Sequence, residues 1–157
     1  HTKNLIMKVK EDYDGAVPSG NSVAALALLR LGKITDQKEF TDMAEKSLLL
    51  FSDNMTNGPS AVPYLLQALD FLVHEPRRAV ITGDPKSAGA RDLIAAAHAA
   101  YQPNKVVLGV AGPVEEFAKT LPEEKQSAVY LCTGSACQPP TSDSLKLGEM
   151  MASKTLP

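Results

Sequence analysis

A cluster of polar side chains lies directly before the first long apolar stretch of the chain. It brings together carboxylates, hydroxyls, an amide and an amine, which can hydrogen-bond a polyol, and a carboxylate can also serve as a general acid or base. We therefore predict Asp14 as a catalytic carboxylate. We predict substrate-binding roles for the residues around it, Lys10, Tyr13, Ser19, Asn21 and Ser22. The alternative is that Ser19 or Asn21 only caps the following helix, while the acidic residues are solvated.

Two cysteines, Cys132 and Cys137, lie five residues apart around a turn that contains Gly134. Three interpretations stay open: a buried residue plus a turn residue, a structural or labile disulfide, and a catalytic thiol. The spacing is not Cys-x-x-Cys, and no histidine lies nearby in sequence to complete a zinc site. We predict no metal and no cofactor for this chain.

The first half of the chain has the pattern of three helices. Residues 21–31 are apolar on nearly every side, which predicts a helix that is completely enclosed. Asp36 with Glu39 predicts the start of an amphipathic second helix, and Ser60 the start of a third that ends at Pro76. This alternation is typical of an α/α toroid, which three helices cannot close. We therefore expect the enclosing helices to lie outside this chain, whose first residue, His1, we interpret as a fragment boundary.

The second half alternates between strands and helices. Strands are predicted at 79–82, 106–110 and 128–132, helices at 87–101 and 113–121, and a last helix capped by Ser142. The pattern predicts a three-stranded parallel β-α-β-α-β unit. It places Cys132 with Gly83 and Gly112 at the carboxyl ends of the strands, where such sheets bind ligands. The fold class is thus α/β with a preceding all-α segment, divided into residues 1–76 and 77–157. Residues 5–9 could add a short strand.

Composition excludes some functional classes. The 157 residues carry a formal net charge of −2, which is atypical of a protein that binds nucleic acid or an anionic membrane. No apolar run reaches the roughly 18 residues that a membrane span requires. We expect a soluble, cytoplasmic protein without nucleic-acid or membrane partners.

Several motifs resemble one family. The run from Tyr13 to Ala25 resembles the DGAxPSGNSVAA segment of the spermatogenesis-associated protein 20 family, although Val17 replaces a residue that is often acidic there. The similarity continues at residues 103–107 and 128–141 and covers essentially the whole chain. It implies a parent with an N-terminal thioredoxin-like domain, an (α/α)₆ toroid similar to N-acylglucosamine 2-epimerase, and a C-terminal tail. This chain would be the last toroid helices and the tail, and its partners would be the rest of that parent.

The resemblance implies a fold and no established reaction, so three hypotheses compete. The parent is a carbohydrate-modifying enzyme, isomerase-like or hydrolase-like, and this fragment alone is inactive. Alternatively, Cys132 and Cys137 exchange electrons with a thioredoxin-like domain. In the third hypothesis the chain is a non-catalytic structural or interaction module, which we expect to self-associate into a homo-oligomer when isolated.

Overall fold

A computed structural model describes residues 10, 11 and 13–153 of the chain, so the predicted strand at 5–9 lies outside the described part. The first half forms a helical layer. Its elements are α1 (Gly20–Thr35), α2 (Lys38–Leu50), α3 (Ser52–Asn57), a 3-10 turn (Pro59–Ala61) and α4 (Pro63–Val73). Helices α2 and α4 both pack on α1, which is the central element of this layer.

Helix α1 begins as predicted and ends later than predicted. The Ser19 hydroxyl accepts a hydrogen bond from the Ser22 N–H at 3.1 Å, which confirms Ser19 as the N-cap. Gly32 does not end the helix; a Cβ at this position would lie 2.6 Å from the Thr41 hydroxyl, so glycine lets α1 and α2 approach closely. The helix ends at Asp36, whose φ of 57° is left-handed. The prediction that Asp36 opens α2 was wrong, because Gln37 occupies that place.

The second half forms a four-stranded mixed sheet with helices on both faces. Its elements are β1 (Arg77–Thr82), α5 (Ala88–Ala99), β2 (Lys105–Gly109), α6 (Glu116–Lys119), β3 (Ala128–Thr133), β4 (Ala136–Cys137) and α7 (Ser144–Ala152). The strand order is β2-β1-β3-β4. The last helix is capped by Asp143, not by Ser142 as predicted, since the Asp143 carboxylate accepts bonds from the N–H groups of Leu145 and Lys146.

The sheet is only partly parallel. Strands β1 and β2 are parallel, as predicted, with α5 as the crossover. Strand β3 is antiparallel to β1, so the prediction of a three-stranded parallel unit was wrong. The reason is the path of the connection after β2: it returns toward the amino end of β1, where Glu115 pairs with Arg78, and then runs back, so that β3 starts opposite Thr82 at the carboxyl end of β1. There Ser127, directly before β3, packs against Gly83, and a Cβ on Gly83 would lie 2.9 Å from the Ser127 hydroxyl.

The helical layer and the sheet share one hydrophobic core. One face of the sheet, including Val80 and Tyr130, packs with α1 and α4, and the other face packs with α5 and α7. The predicted division after residue 76 falls at the start of β1. Among residues 10–11 and 13–153, no helix is long and apolar enough to cross a membrane.

Helix α1 is not enclosed by the described residues 10–11 and 13–153. Ala25, Leu26 and Leu29 are buried against α2 and α4, but the opposite side is exposed to solvent. We call that side the outer face of α1; it consists of Val23, Ala24, Ala27 and Leu31, of which Val23 is 43% and Leu31 39% exposed. The described residues leave this side open, so enclosure of the helix by helices outside the chain stays a prediction. The mixed α/β fold is confirmed, and a toroid is a matter for proposal.

Candidate functional site

The Asp14 carboxylate ties the loop before α1 to the start of α4. One oxygen accepts the Ser19 N–H at 2.8 Å. The other accepts the N–H groups of Tyr64 and Leu65 at 2.8 and 3.2 Å, which are free donors because they lie in the first turn of α4. The residue is only 7% exposed. Asp14 thus supplies the side-chain cap that the residue before α4, Val62, cannot supply.

These contacts set the charge state of Asp14. Burial acts to raise the pKa of its carboxyl, but the hydrogen bonds from Ser19, Ser22, Leu65 and Tyr64 outweigh burial and hold the pKa below its usual value. An anion stabilised by backbone donors in this way suits a structural anchor. A general acid would instead need a raised pKa. The catalytic role of Asp14 stays a prediction, and the geometry adds a structural role that the sequence did not reveal.

The other predicted binding residues divide into two groups. Ser19 and Ser22 are buried beside Asp14, and their hydroxyls are joined at 2.9 Å. Lys10 is exposed, as is Tyr13 at 63%, and the side-chain amide of Asn21 donates to the carbonyl of Glu11 at 2.6 Å. The structure therefore brings Asp14, Ser19 and Ser22 together and leaves the rest at the surface of the same loop.

The two cysteines form a disulfide across a hairpin. Cys132 on β3 lies opposite Cys137 on β4, and their sulfurs are bonded. Of the three interpretations, a disulfide is the one that the structure has. Because β3 is antiparallel, Cys132 lies opposite Arg78, near the amino end of β1. The prediction that Cys132 shares the carboxyl edge with Gly83 and Gly112 was wrong.

A buried ion pair lies beside this hairpin and was not predicted from the sequence. Arg78 on β1 donates to the Glu115 carboxylate and to the carbonyl of Gly134 in the hairpin turn. Its guanidinium also lies over the Phe117 ring, 5.3 Å from the centroid. A charged side chain directly before a predicted apolar strand was the available signal, since Arg78 precedes the predicted strand at 79–82 and is itself buried.

The carboxyl ends of the parallel strands β1 and β2 border a small apolar cavity. It measures about 290 Å³ and lies between the edge strand and α5, lined in part by Ile81, Gly83, Ile94, His98 and Val107. Its lining offers one imidazole and no carboxylate or thiol. The cavity lining therefore lacks the cysteine that the predicted ligand edge was expected to provide.

Comparison with known proteins shows which proteins this chain is similar to. It is 33% identical to spermatogenesis-associated protein 20 of Rattus norvegicus over 156 residues and 34% identical to that of Homo sapiens over 155 residues, covering 94% of this chain in both cases. The resemblance to the spermatogenesis-associated protein 20 family is thereby confirmed. The chain spans about one fifth of the length of these relatives, 20% in each. An uncharacterized protein of Caenorhabditis elegans is 28% identical over 153 residues. No family model and no solved structure matches the chain.

The spermatogenesis-associated protein 20 motif at the start of the chain now has a physical explanation. Its aspartate, Asp14, anchors α4, and its first serine, Ser19, caps α1. The motif thus determines how two helices of the layer are joined. For Cys132 and Cys137, which match the family motif, the structure has a disulfide, and a redox role stays a prediction.

Proposed function

We propose that the chain is the C-terminal part of a larger spermatogenesis-associated protein 20-like protein and acts there as a packing module. Further helices of the same polypeptide cover the exposed apolar side of its helical layer, as in an (α/α) toroid. The outer face of α1 carries this proposal, because a continuous apolar helix side at i, i+4 and i+8 is typical of a helix–helix contact. The relatives are about five times as long as this chain, since it spans 20% of each, so they contain enough sequence to supply such helices.

A second apolar surface supports the same proposal. A groove of about 500 Å³ runs between α2–α3 and α4 and is lined largely by leucines, with Leu49 at 73% exposure and with Leu66, Leu69 and Met55 only partly buried. Helix α4 therefore has apolar residues on two sides, one toward α1 and one toward this groove. Two separate apolar sides within one layer are typical of a unit packed between neighbours.

The experiment replaces the outer face of α1. Sedimentation velocity of the isolated chain should show self-association that rises with concentration, and the double variant Val23→Lys with Leu31→Lys should remain monomeric. Ala95→Lys, on an exposed position of α5, is the matched control and should behave as the unchanged chain. In the full-length parent the double variant should lower the melting temperature. An isolated chain that is monomeric, together with a parent whose stability is unchanged, would refute the packing module.

The second candidate is redox exchange through the Cys132–Cys137 disulfide. The observation that favours it is the disulfide itself, on a short hairpin with Cys137 partly exposed. In a reducing compartment, disulfides are usually transient and catalytic or redox-sensing. Thiol titration of the folded chain should find no reactive thiol before mild reduction and two afterwards. Two thiols that are already free in the oxidised preparation would remove this candidate.

A carbohydrate-modifying parent enzyme is the third proposal. It is supported by the grouping of the Asp14 carboxylate with the Ser19 and Ser22 hydroxyls at the start of α1. Sugar binding by the full-length protein should weaken in Asp14→Asn, which retains an acceptor oxygen for the cap. Equal binding by the two proteins on a glycan array would count against the assigned site.

A further inference from the structure

The disulfide and Arg78 lie on the same face of the sheet. Cys132 is directly opposite Arg78 on β1 and directly opposite Cys137 on β4. Residues directly opposite each other in antiparallel strands point their side chains to one side, with Cβ atoms about 5 Å apart. This side is the one that packs with the helical layer. Val80 lies two residues after Arg78 and Tyr130 two residues before Cys132, so they share its face, and both belong to that core.

Arg78 has an unused donor at this place. The residue is 6% exposed, and two of its nitrogens bind Glu115 and the Gly134 carbonyl. Its Nε–H has no hydrogen-bond partner among the described residues, nor does one oxygen of Glu115. A buried donor without an acceptor is unfavourable in general. A thiolate formed on Cys132 would place an acceptor and a negative charge on the same side of the sheet.

We propose that the Cys132–Cys137 disulfide is an exchange site for an incoming dithiol, and that Arg78 stabilises Cys132 as the leaving thiolate. This inference rests on the redox candidate above and deepens it. Cys132 is fully buried whereas Cys137 is partly exposed, so the dithiol reaches Cys137. Arg78 acts by electrostatics and by its free Nε–H.

The step balances as thiol–disulfide exchange. A thiolate of the dithiol attacks Sγ of Cys137, the disulfide breaks, and its electron pair stays on Sγ of Cys132. The second thiol of the reductant, after losing its proton, attacks the mixed disulfide and releases Cys137, which takes up a proton. The dithiol ends as a disulfide, two electrons have moved to the hairpin, and the other proton goes to solvent while Cys132 stays a thiolate.

Charges on this face of the sheet have opposite effects on the pKa of the Cys132 thiol. A leaving thiol with a lower pKa departs faster, and a neighbouring guanidinium lowers it. Glu115, from the segment before α6, offsets part of that effect because it pairs with Arg78. Tyr130 also faces this side, and its hydroxyl donates to Glu124; burial, then Glu124, raises its pKa, so it stays neutral. Removing the charge of Glu115 should therefore change the reduction rate in the opposite direction to removing Arg78.

The first experiment measures the rate at which excess dithiothreitol reduces the folded chain at neutral pH. Arg78→Met should react more slowly, by about threefold for each pKa unit if the leaving thiol has a Brønsted coefficient of the same size, about 0.5, as the attacking thiol. Glu115→Gln should react faster. Arg77→Met is the matched control. Arg77 directly precedes Arg78 on β1, points to the other face of the sheet and binds the end of α7. Its replacement should leave the reduction rate unchanged.

A titration gives the readout that a merely structural role would not change. In Cys137→Ser the Cys132 thiolate is followed by its ultraviolet absorbance against pH, with and without Arg78→Met. We expect the pKa of the Cys132 thiol to be higher when Arg78 is absent. Because Arg78→Met leaves Glu115 buried without its partner, Arg78→Met with Glu115→Gln is measured as well, and circular dichroism checks that each variant is folded.

The outcomes separate the two proposals. Equal reduction rates and equal Cys132 pKa values with and without Arg78 overturn this inference and leave the redox candidate in place. A disulfide that dithiothreitol does not reduce in the folded chain removes both. Slower reduction in Arg78→Met, faster reduction in Glu115→Gln and a raised Cys132 pKa together support the exchange site.

Discussion

Replacing Asp14 should destabilise the fold much more than an ordinary surface carboxylate would. Asp14→Ala removes the acceptor for three backbone N–H groups, two in the first turn of α4 and one at Ser19. Loss of a helix cap costs about 1 kcal/mol, and a buried N–H left without a partner costs about 1–3 kcal/mol. The expected loss of unfolding free energy is therefore about 2–4 kcal/mol, or about 10 °C in melting temperature for a domain of this size.

The assay is urea denaturation followed by circular dichroism, with Asp92→Ala on the exposed side of α5 as the matched control. The dependence on pH provides a second test. Because the pKa of Asp14 is lower in the folded than in the unfolded chain, its stabilisation is complete above the unfolded pKa and is lost as pH falls through the folded pKa. The stability difference between the unchanged chain and Asp14→Asn should thus shrink below about pH 4. A loss in Asp14→Ala no larger than in Asp92→Ala, or a difference independent of pH, would refute the anchor.

Three further predictions follow from single contacts. Gly32→Ala should lower the free energy of unfolding by about 1–3 kcal/mol, because the new Cβ would lie 2.6 Å from the Thr41 hydroxyl. Adding Thr41→Ala should restore most of that loss. A double-mutant cycle in urea measures the coupling between the two positions, and additive losses would contradict it. Lys105→Met should lower the melting temperature, since the Lys105 ammonium donates to three carbonyls at the end of α5; equal melting curves would show that these bonds contribute nothing. Replacing both Cys132 and Cys137 by alanine should cost about 2 kcal/mol for so short a loop, and a loss near zero by calorimetry would argue against a stabilising bridge.

Local chemistry in the sequence was enough to predict most elements of the fold. Apolar periodicity predicted the three helical regions and three of the strands, and Ser19, one of two predicted caps for α1, is the one that the structure has. One ambiguous signal led to an error at the boundary between α1 and α2. Asp36 can open a helix by its side chain or close one in the left-handed conformation, and only the packing of α1 on α2 through Gly32 decides between them.

Strand direction was beyond the reach of local signals. An alternating pattern favours parallel strands, yet the direction of β3 depends on the path of the connection after β2. That connection brings Glu115 to Arg78 near the amino end of β1 and then returns to the carboxyl end, where Ser127 packs against Gly83. The sequence predicted a helix at 113–121 in this connection, whereas α6 has four residues, so no local signal showed the return.

The candidate site was found by residue type, but the roles of its members depended on partners far away in sequence. The partners of Asp14 are N–H groups at Tyr64 and Leu65, 50 and 51 residues away, which no short motif can indicate. Likewise, an apolar helix predicts burial without saying which molecule buries it. The exposed outer face of α1 is compatible with the original physical argument only if its cover lies elsewhere in a larger protein.

The reversal of β3 changes which chemistry the cysteines can perform. In a parallel sheet Cys132 would have stood at the ligand edge beside Gly83, where a free thiol could meet a substrate. In the observed sheet it lies opposite Arg78, on the face that packs with the helical layer. The hairpin turn is joined through Arg78 to Glu115, whose N–H donates to the Ile34 carbonyl near the end of α1 at 2.8 Å. Because these bonds form one chain, reducing the disulfide would act first on the junction between the sheet and the helices, whereas the packing module depends on the outer face of α1.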